Sequence, residues 1–337
     1  FRAESDLTGL LDCCVFSLFP FHFFLKSSVS NSKTQTMTGF EWMLLVLLSV
    51  VWGGSFFFNG IALREFPTLS IVTARVGLAA LALLLLMRML GQGIQLNRQI
   101  LKAFFGMSFL NNVVPFSLIV WGQQHIASGV ASILNATTPL FTMLVAHWFT
   151  TDEKINPRRL LGVLTGMGGV GLMMGLDSME SSGFHLLGQS AILLAAFSYG
   201  LAGVYGKRFA QLEIPPLATA TGQLCASSMI LIPLTLWIDQ PWTMTIPSIE
   251  GMGSLLGIAL ISTALAYVIY FRLLKTAGAT NLLLVTLLIP VSAIILGVFL
   301  LDESLEPQHL SGMAVISLGL LIMDGRLLQF FRKTFPA

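Results

Sequence analysis

Apolar runs of membrane-spanning length recur from residue 42 almost to the end of the chain, parted by short polar breaks. A helix needs about 20 such residues to cross roughly 30 Å of hydrocarbon. The runs are continuous rather than alternating, so they read as helices and not as the strands of a barrel. Ten spans are expected: Trp42–Ala62, Leu69–Met87, Ile100–Trp121, Ser128–Thr150, Arg159–Gly175, Leu187–Gly206, Leu217–Trp237, Met252–Phe271, Ala279–Leu301 and Leu310–Met323. The supply of charge agrees. Residues are 55% hydrophobic and only 10% charged, with a mean hydropathy of +0.83, whereas a soluble domain carries about 25% charged residues. The chain must be solvated largely by lipid.

The breaks carry a pattern. The stretch AHWFTTDEKINPRRLLG, residues 146–162, returns as GVFLLDESLEPQHLSG, residues 297–312. Both leave an apolar run, pass an acidic pair, reach proline and re-enter an apolar run at glycine. The first copy has Lys154, Arg158 and Arg159, and the second has no lysine or arginine. With the segment before helix one placed inside, the inner breaks and tail hold Arg88, Arg98, Lys102, Lys154, Arg158, Arg159, Lys207, Arg208, Arg272, Lys275, Arg326, Arg332 and Lys333. The outer breaks hold Arg64 alone, and thirteen against one places both termini in the cytoplasm. Topology thus explains the stripped charges, because the second copy lies outside.

Five helices per half is an odd number, so the second half starts on the opposite side of the membrane. Pro139 falls opposite Pro290, and Pro157, Gly162 and Gly169 fall opposite Pro307, Gly312 and Gly319. Trp52-Gly53 falls opposite Tyr199-Gly200. Inverted repeats of this kind are an architecture of secondary transporters, where exchange of conformation between the halves gives alternating access. The expected units are an extension over 1–36, a first repeat over 37–176 and a second over 177–337.

These residues resemble the EamA-type permeases of the drug/metabolite transporter superfamily. The resemblance rests on WGGSF after Val51, ARVGLAALALLL in helix two, and the block from ASILNATTPLFTM to GMGGVGLM with its second-half echo. It covers about residues 40 to 326 and implies an all-α integral membrane protein, ten transmembrane helices in two inverted five-helix repeats around a central cavity. It also implies export of small organic solutes, often amino acids or metabolites, and a cavity wall drawn from helices one, three, six and eight. Those helices hold Trp52, Trp121, Tyr199, Tyr267 and Tyr270. Trp52 and Tyr199 are repeat-related and deep, whereas Trp121 lies at a helix end where an interfacial role is equally open. Met37 begins a segment resembling a normal permease start, and residues 1–36 are expected to be upstream sequence.

No acidic residue lies inside the ten spans, so no mid-membrane carboxylate relay is expected. Arg75 is the one clear intramembrane charge. It reads either as an anchor for a substrate carboxylate or phosphate, or as a structural arginine whose stem carries the guanidinium outward or that bonds backbone carbonyls of a neighbouring helix, and its off-centre place favours the second. Asn111, Asn112, Asn135, Thr137 and Thr138 are polar at mid-membrane depth. They could orient a neutral or zwitterionic solute or join helices to one another. Pro139 and Pro290 should free the carbonyls of Asn135 and Thr286 to line a cavity.

Other patterns are set aside. GMGGVG over 166–171 fits a dinucleotide loop but lies in an apolar helix with no strand before it. Gly162 with Gly166, and Gly171 with Gly175, are spaced for close helix contact. The sequon at Asn135 is at lipid depth. The histidines show no ligand spacing, and Cys13, Cys14 and Cys225 make neither a disulfide framework nor a metal motif. Asp152, Glu153 and Glu303 most simply end helices, with pairing of the first two to Arg158 or Arg159 as an access gate the other reading.

The chain is therefore expected to be a bacterial-type inner-membrane permease exporting a small polar metabolite, an amino acid among the candidates, by alternating access. Expected site residues are Trp52, Asn111, Asn112, Asn135, Thr138, Tyr199, Tyr267 and Arg75. The partners are a small-molecule substrate and the lipid bilayer, with no nucleic acid, no cofactor and homo-oligomerisation left open. A flippase for a lipid-linked sugar or small lipid is the alternative. An enzyme would need acid, base or metal ligands gathered at one depth, and the spans hold none. The charge count makes one direct prediction: a fluorescent reporter that matures only in the cytoplasm, fused after Lys333, is expected to fluoresce.

Overall fold

The computed structural model describes residues 37–94, 96–150, 154–174 and 183–324. Among them the chain is helical throughout, with no strand. The helices are α1 (Gly39–Ala62), α2 (Thr68–Met89), α3 (Arg98–Gly122), α4 (Ser128–Phe149), α5 (Pro157–Met174), α6 (Gly183–Gln211), α7 (Pro216–Ile238), α8 (Ile249–Thr276), α9 (Val285–Leu300, preceded by the short helix Gly278–Leu282) and α10 (Pro307–Asp324). Among the described residues seven of these, α1–α4 and α6–α8, are long and apolar enough to cross a membrane. α9 is apolar but shorter, as is Pro307–Met323 within α10, and α5 opens on Arg158 and Arg159.

Starts follow local chemistry. Thr38 and Glu41 form a capping box at α1, and the Asn97 and Ser248 side chains accept backbone N–H groups at the starts of α3 and α8. Two expected helices are not continuous. α4 is interrupted at Ala136 and Thr137, just before Pro139, and the α9 region is interrupted at Leu283 and Leu284, ahead of Pro290. Pro139 cannot donate to the preceding turn, so the backbone breaks beside it, whereas Pro290 sits inside the regular helix α9.

The packing carries the inversion. α2 lies against α7, and α5 against α10, each beside its own counterpart. α1 packs on α9 while α6 packs on α4, and α3 on α6 while α8 packs on α1. A two-fold relation between the halves, running between α2 and α7 and between α5 and α10, produces this set of partners. The repeated aromatic–glycine pairs explain two crossings. A Cβ on Gly53 would come within 2.9 Å of Ala293 N on α9, and one on Gly200 within 3.0 Å of Thr142 N on α4. Each glycine thus lets its helix lie against the proline-bearing helix of the other half.

The α5–α10 seam is closer still. A Cβ on Gly162 would meet Gly319 O at 2.7 Å, and one on Gly169 would meet Ile316 N at 2.7 Å. The working spacing is therefore seven residues, Gly162 and Gly169 facing Gly312 and Gly319. Gly166 also contributes, packing on Leu140 and lying beside Gly319. Gly171, expected at a contact, has nothing within 4 Å of its missing Cβ, and Gly175 lies outside the described residues. Gly169→Ile is accordingly expected to cost at least about 1–3 kcal/mol and to lower the melting temperature in detergent, while Gly171→Ile leaves it unchanged.

Candidate functional site

Regular helix gives way at two places deep in the bundle. Phe109–Val113 in α3 and Gly257–Leu265 in α8 are π-helical. The repeat offset of 150 carries 109–113 onto 259–263, inside the second stretch, so the same position is widened in both halves. Such widened turns occur often at functional sites. Pro115 makes the first one costly to the backbone, since it offers no N–H to the carbonyls behind it. The Leu110 carbonyl accepts a hydrogen bond from Ser198 Oγ of α6 at 2.7 Å instead.

The widened turn lets two adjacent asparagines face one neighbour. Asn111 Nδ2 donates to Tyr267 Oη at 3.1 Å and to Gln223 Oε1 at 3.2 Å. Tyr267 Oη donates to Asn112 Oδ1 at 3.3 Å, and Asn112 Nδ2 donates to Ser227 Oγ at 2.9 Å. Ser227 Oγ also bonds Ser108 Oγ. This amide layer joins α3, α7 and α8. Asn111 and Tyr267 keep some exposed surface, while Asn112 has none.

A second layer lies one turn further along both helices. Thr263 precedes Tyr267 by four residues on α8, and Phe116 follows Asn112 by four on α3, spacings that stack side chains on one helix face. Arg75 of α2 fills the gap between them. Its Nε donates to Thr263 Oγ1 at 3.0 Å, and its guanidinium carbon stands 3.8 Å from the centroid of the Phe116 ring. Thr263 Oγ1 in turn donates to Ile258 O across the π turn. Arg75 is 6% exposed, which corrects the outward-reaching side chain expected from its position. The hydroxyl and the ring hold it inward.

The remaining expected residues divide. Trp52 packs on Tyr270 with ring centroids 5.6 Å apart, and Tyr270, Phe271 and Tyr267 continue the aromatic wall along α8. Tyr199 packs against both main hydrophobic clusters. Asn135 and Thr138 belong to the break in α4. The Asn135 carbonyl freed by Pro139 accepts from Thr138 Oγ1 at 2.7 Å, so it is capped locally rather than lining a cavity; Asn135 Oδ1 is buried without a partner. Trp121 joins His125 and Phe184 in an aromatic stack at the end of α3, away from these layers. Asp152 and Glu153 lie outside the described residues. Gln223, Ser227, Thr263 and Phe116 escaped the sequence reading. The four-residue spacing of Gln223 and Ser227 on α7 was the available signal.

At the face called outer from the charge count, acids clasp the opposite half. Glu303 accepts from Ser128 N at 2.9 Å and Gly129 N at 3.3 Å, at the start of α4. Asp239 accepts from Ser70 N at 2.6 Å and Ser70 Oγ at 2.8 Å, in the first turn of α2. Glu65 accepts from Ser248 N at 2.7 Å at the start of α8. Carboxylates suit helix N-termini. The hydrogen bonds from the Ser248 side chain and backbone hold the exposed Glu65 carboxyl below its ordinary range. Its contribution is therefore present above the unfolded pKa and lost as pH falls through the folded one.

Two halves, one fold pattern each, prompt the comparison with known proteins. The model of the EamA-like transporter family matches residues 40–175 and again 186–323. The chain belongs to that family. The Bacillus subtilis transporter YoaV is 24% identical over 282 residues, covering 82% of this chain and 94% of the relative. The Escherichia coli inner membrane transporter YedA is 26% identical, covering 87% and 92%. An Escherichia coli protein named as a probable amino-acid metabolite efflux pump is 26% identical, covering 83% and 93%. A solved crystal structure shares the fold at a TM-score of 0.59 and 15% identity, covering 84% of this chain and 96% of that one. This chain is thus a membrane transporter protein of the EamA-like family, built on two repeats.

The network ranks its two asparagines. Asn112→Ala empties a fully buried position and removes its bonds to both Ser227 and Tyr267, so it is expected to cost about 1–3 kcal/mol, against about 0.6 kcal/mol, the mean for an interhelical bond in a membrane protein, for Asn111→Ala. Thermal unfolding of the two variants in one detergent checks the order.

Proposed function

We propose that this chain exports a small polar metabolite across the inner membrane by alternating access, with ten helices crossing the bilayer and both termini in the cytoplasm. The observation that supports this best is the placing of the two polar layers at the widened turns of α3 and α8, where the repeats meet. Asn111, Asn112 and Gln223 supply the amide donors and acceptors, Arg75 the charge, and Trp52, Tyr199 and Tyr267 the aromatic wall. The relative named as an amino-acid metabolite efflux pump is consistent with a metabolite of that size. The clasps of Glu65, Asp239 and Glu303 describe a bundle held shut at the outer face, one of the two states alternating access requires.

A lipid-linked substrate is the second reading, and one feature favours it. A groove of about 590 Å³ runs between α2, α7 and α8, lined by Ala74, Gly77, Cys225, Ser228 and Leu255 among others. It opens on the bundle's side rather than its end, beside the helix that carries Arg75.

Cells producing the chain, loaded with a mixed set of labelled metabolites, are expected to lose one solute faster than control cells. Gln223→Leu and Trp52→Leu should each slow that loss at least about tenfold, the effect of one contact worth 1.4 kcal/mol, while still reaching the membrane. Equal loss of every water-soluble solute with and without the protein would move the weight to the lipid-linked reading.

A further inference from the structure

Arg75 is a buried cation whose counter-charge is missing. Arg64 pairs with Glu250 at the exposed outer face, and no carboxylate among the described residues pairs with Arg75. Its partners are one hydroxyl and one ring. A buried, unpaired charge is expensive, because removing an ion from water costs several kcal/mol that only a partner returns. Structural arginines in membrane helices meet this by pairing or by reaching the interface. This one does neither.

The geometry of what holds it is also informative. Thr263 takes Nε, and Phe116 takes one face of the guanidinium plane. Both Nη nitrogens form no hydrogen bond among the described residues, and unlike Asn135 Oδ1 or Ser262 Oγ they are not sealed from contact. The edge left open is the Nη1–Nη2 fork, whose two parallel N–H groups match the two oxygens of a carboxylate. Fixing the plane from two sides lowers the entropy cost of that match.

We propose that the missing counter-charge is the carboxylate of the transported solute, and that the substrate is a small organic monoanion. The inference rests on the transport reading above and adds the substrate class to it. One guanidinium balances one negative charge, so a phosphate dianion is left half compensated. An α-amino acid is matched no better, since its ammonium finds no acid in the amide layer and competes with Arg75 for the same carboxylate. The amide layer lies one turn away, about 5.4 Å. The preferred solute therefore carries a hydroxyl, keto or acylamino group about that far from its carboxylate.

The full chain in proteoliposomes, and in detergent for melting measurements, tests this with labelled 4-hydroxybutyrate, levulinate and N-acetylglycine against alanine, glycerol and glycerol phosphate. Wild type is expected to melt higher with the monocarboxylates, as any ligand that binds only the folded state requires, and to exchange them across the vesicle wall faster than the others. Arg75→Gln should abolish both responses. Arg75→Lys keeps the charge but loses the fork, and should weaken the apparent affinity at least about tenfold. Thr263→Val frees Nε and is expected to weaken it less. Selection by wild type of alanine, glycerol or glycerol phosphate over the monocarboxylates overturns the proposal, whatever the variants do, as does full retention of the monocarboxylate response in Arg75→Gln. An Arg75-dependent melting shift without exchange would sink the transport reading and leave the anion site standing. Exchange of amino acids indifferent to Arg75 would do the reverse.

Discussion

Hydrocarbon offers the backbone no hydrogen bonds, so a helix in it can depart from regularity only where a side chain replaces what is lost. Every irregularity near the site obeys this. Pro115 withdraws a donor, and Ser198 from α6 supplies one to the Leu110 carbonyl. Pro139 withdraws another, and Thr138 supplies it to Asn135. In α9, Ser292 Oγ turns to the carbonyls of Ser49 on α1 and Ile289 on its own helix. The hydroxyls that mend the backbone also fix where helices touch. The π turns that bring Asn111 and Asn112 to one neighbour exist because those repairs are in place.

The frame is nearly symmetric and the chemistry is not. The widened turns recur at matching positions, and Gly53 and Gly200 make matching crossings. The offset of 147 that relates Trp52 to Tyr199 carries Arg75 onto Gly222, next to Gln223, and α7 holds no charge to match Arg75. The cation is thus supplied once, by α2, while the polar layers draw on α2, α3, α7 and α8. A duplicated scaffold with a single, lopsided site lets the halves exchange shape around chemistry that does not itself repeat.

Much of the scaffold was legible from sequence because its causes are local. Apolar length marks the helices, charge marks the breaks, and proline and glycine mark the crossings. The site was legible in part. Asn111 and Asn112 stood out as polar groups at depth and Tyr267 as an aromatic of the implied cavity wall, and the three meet. What failed depended on a partner from elsewhere in the chain. Arg75 read as outward-reaching because nothing in α2 announces Thr263 or Phe116, 188 and 41 residues away. The close contact read at Gly162 and Gly166 holds, since both lie against Gly319, but the seven-residue pairing of Gly162 and Gly169 is set by the opposite helix. Glu303 does follow the end of α9, and that its carboxylate also caps a helix in the other half is not announced by its own segment. No periodicity encodes a π turn.

The glycine seam bears on how the molecule can move. Where α5 and α10 meet, main chain lies against main chain at the glycines, with Met173, Ile316 and Met323 packed close beside them. Two such surfaces keyed by Gly162, Gly169, Gly312 and Gly319 cannot separate by small steps without opening a void that neither lipid nor water fills well. They can turn about their common line. On the alternating-access reading the seam is the fulcrum of the bundle, and the travel of the two repeats grows with distance from it, toward the helices that carry the polar layers.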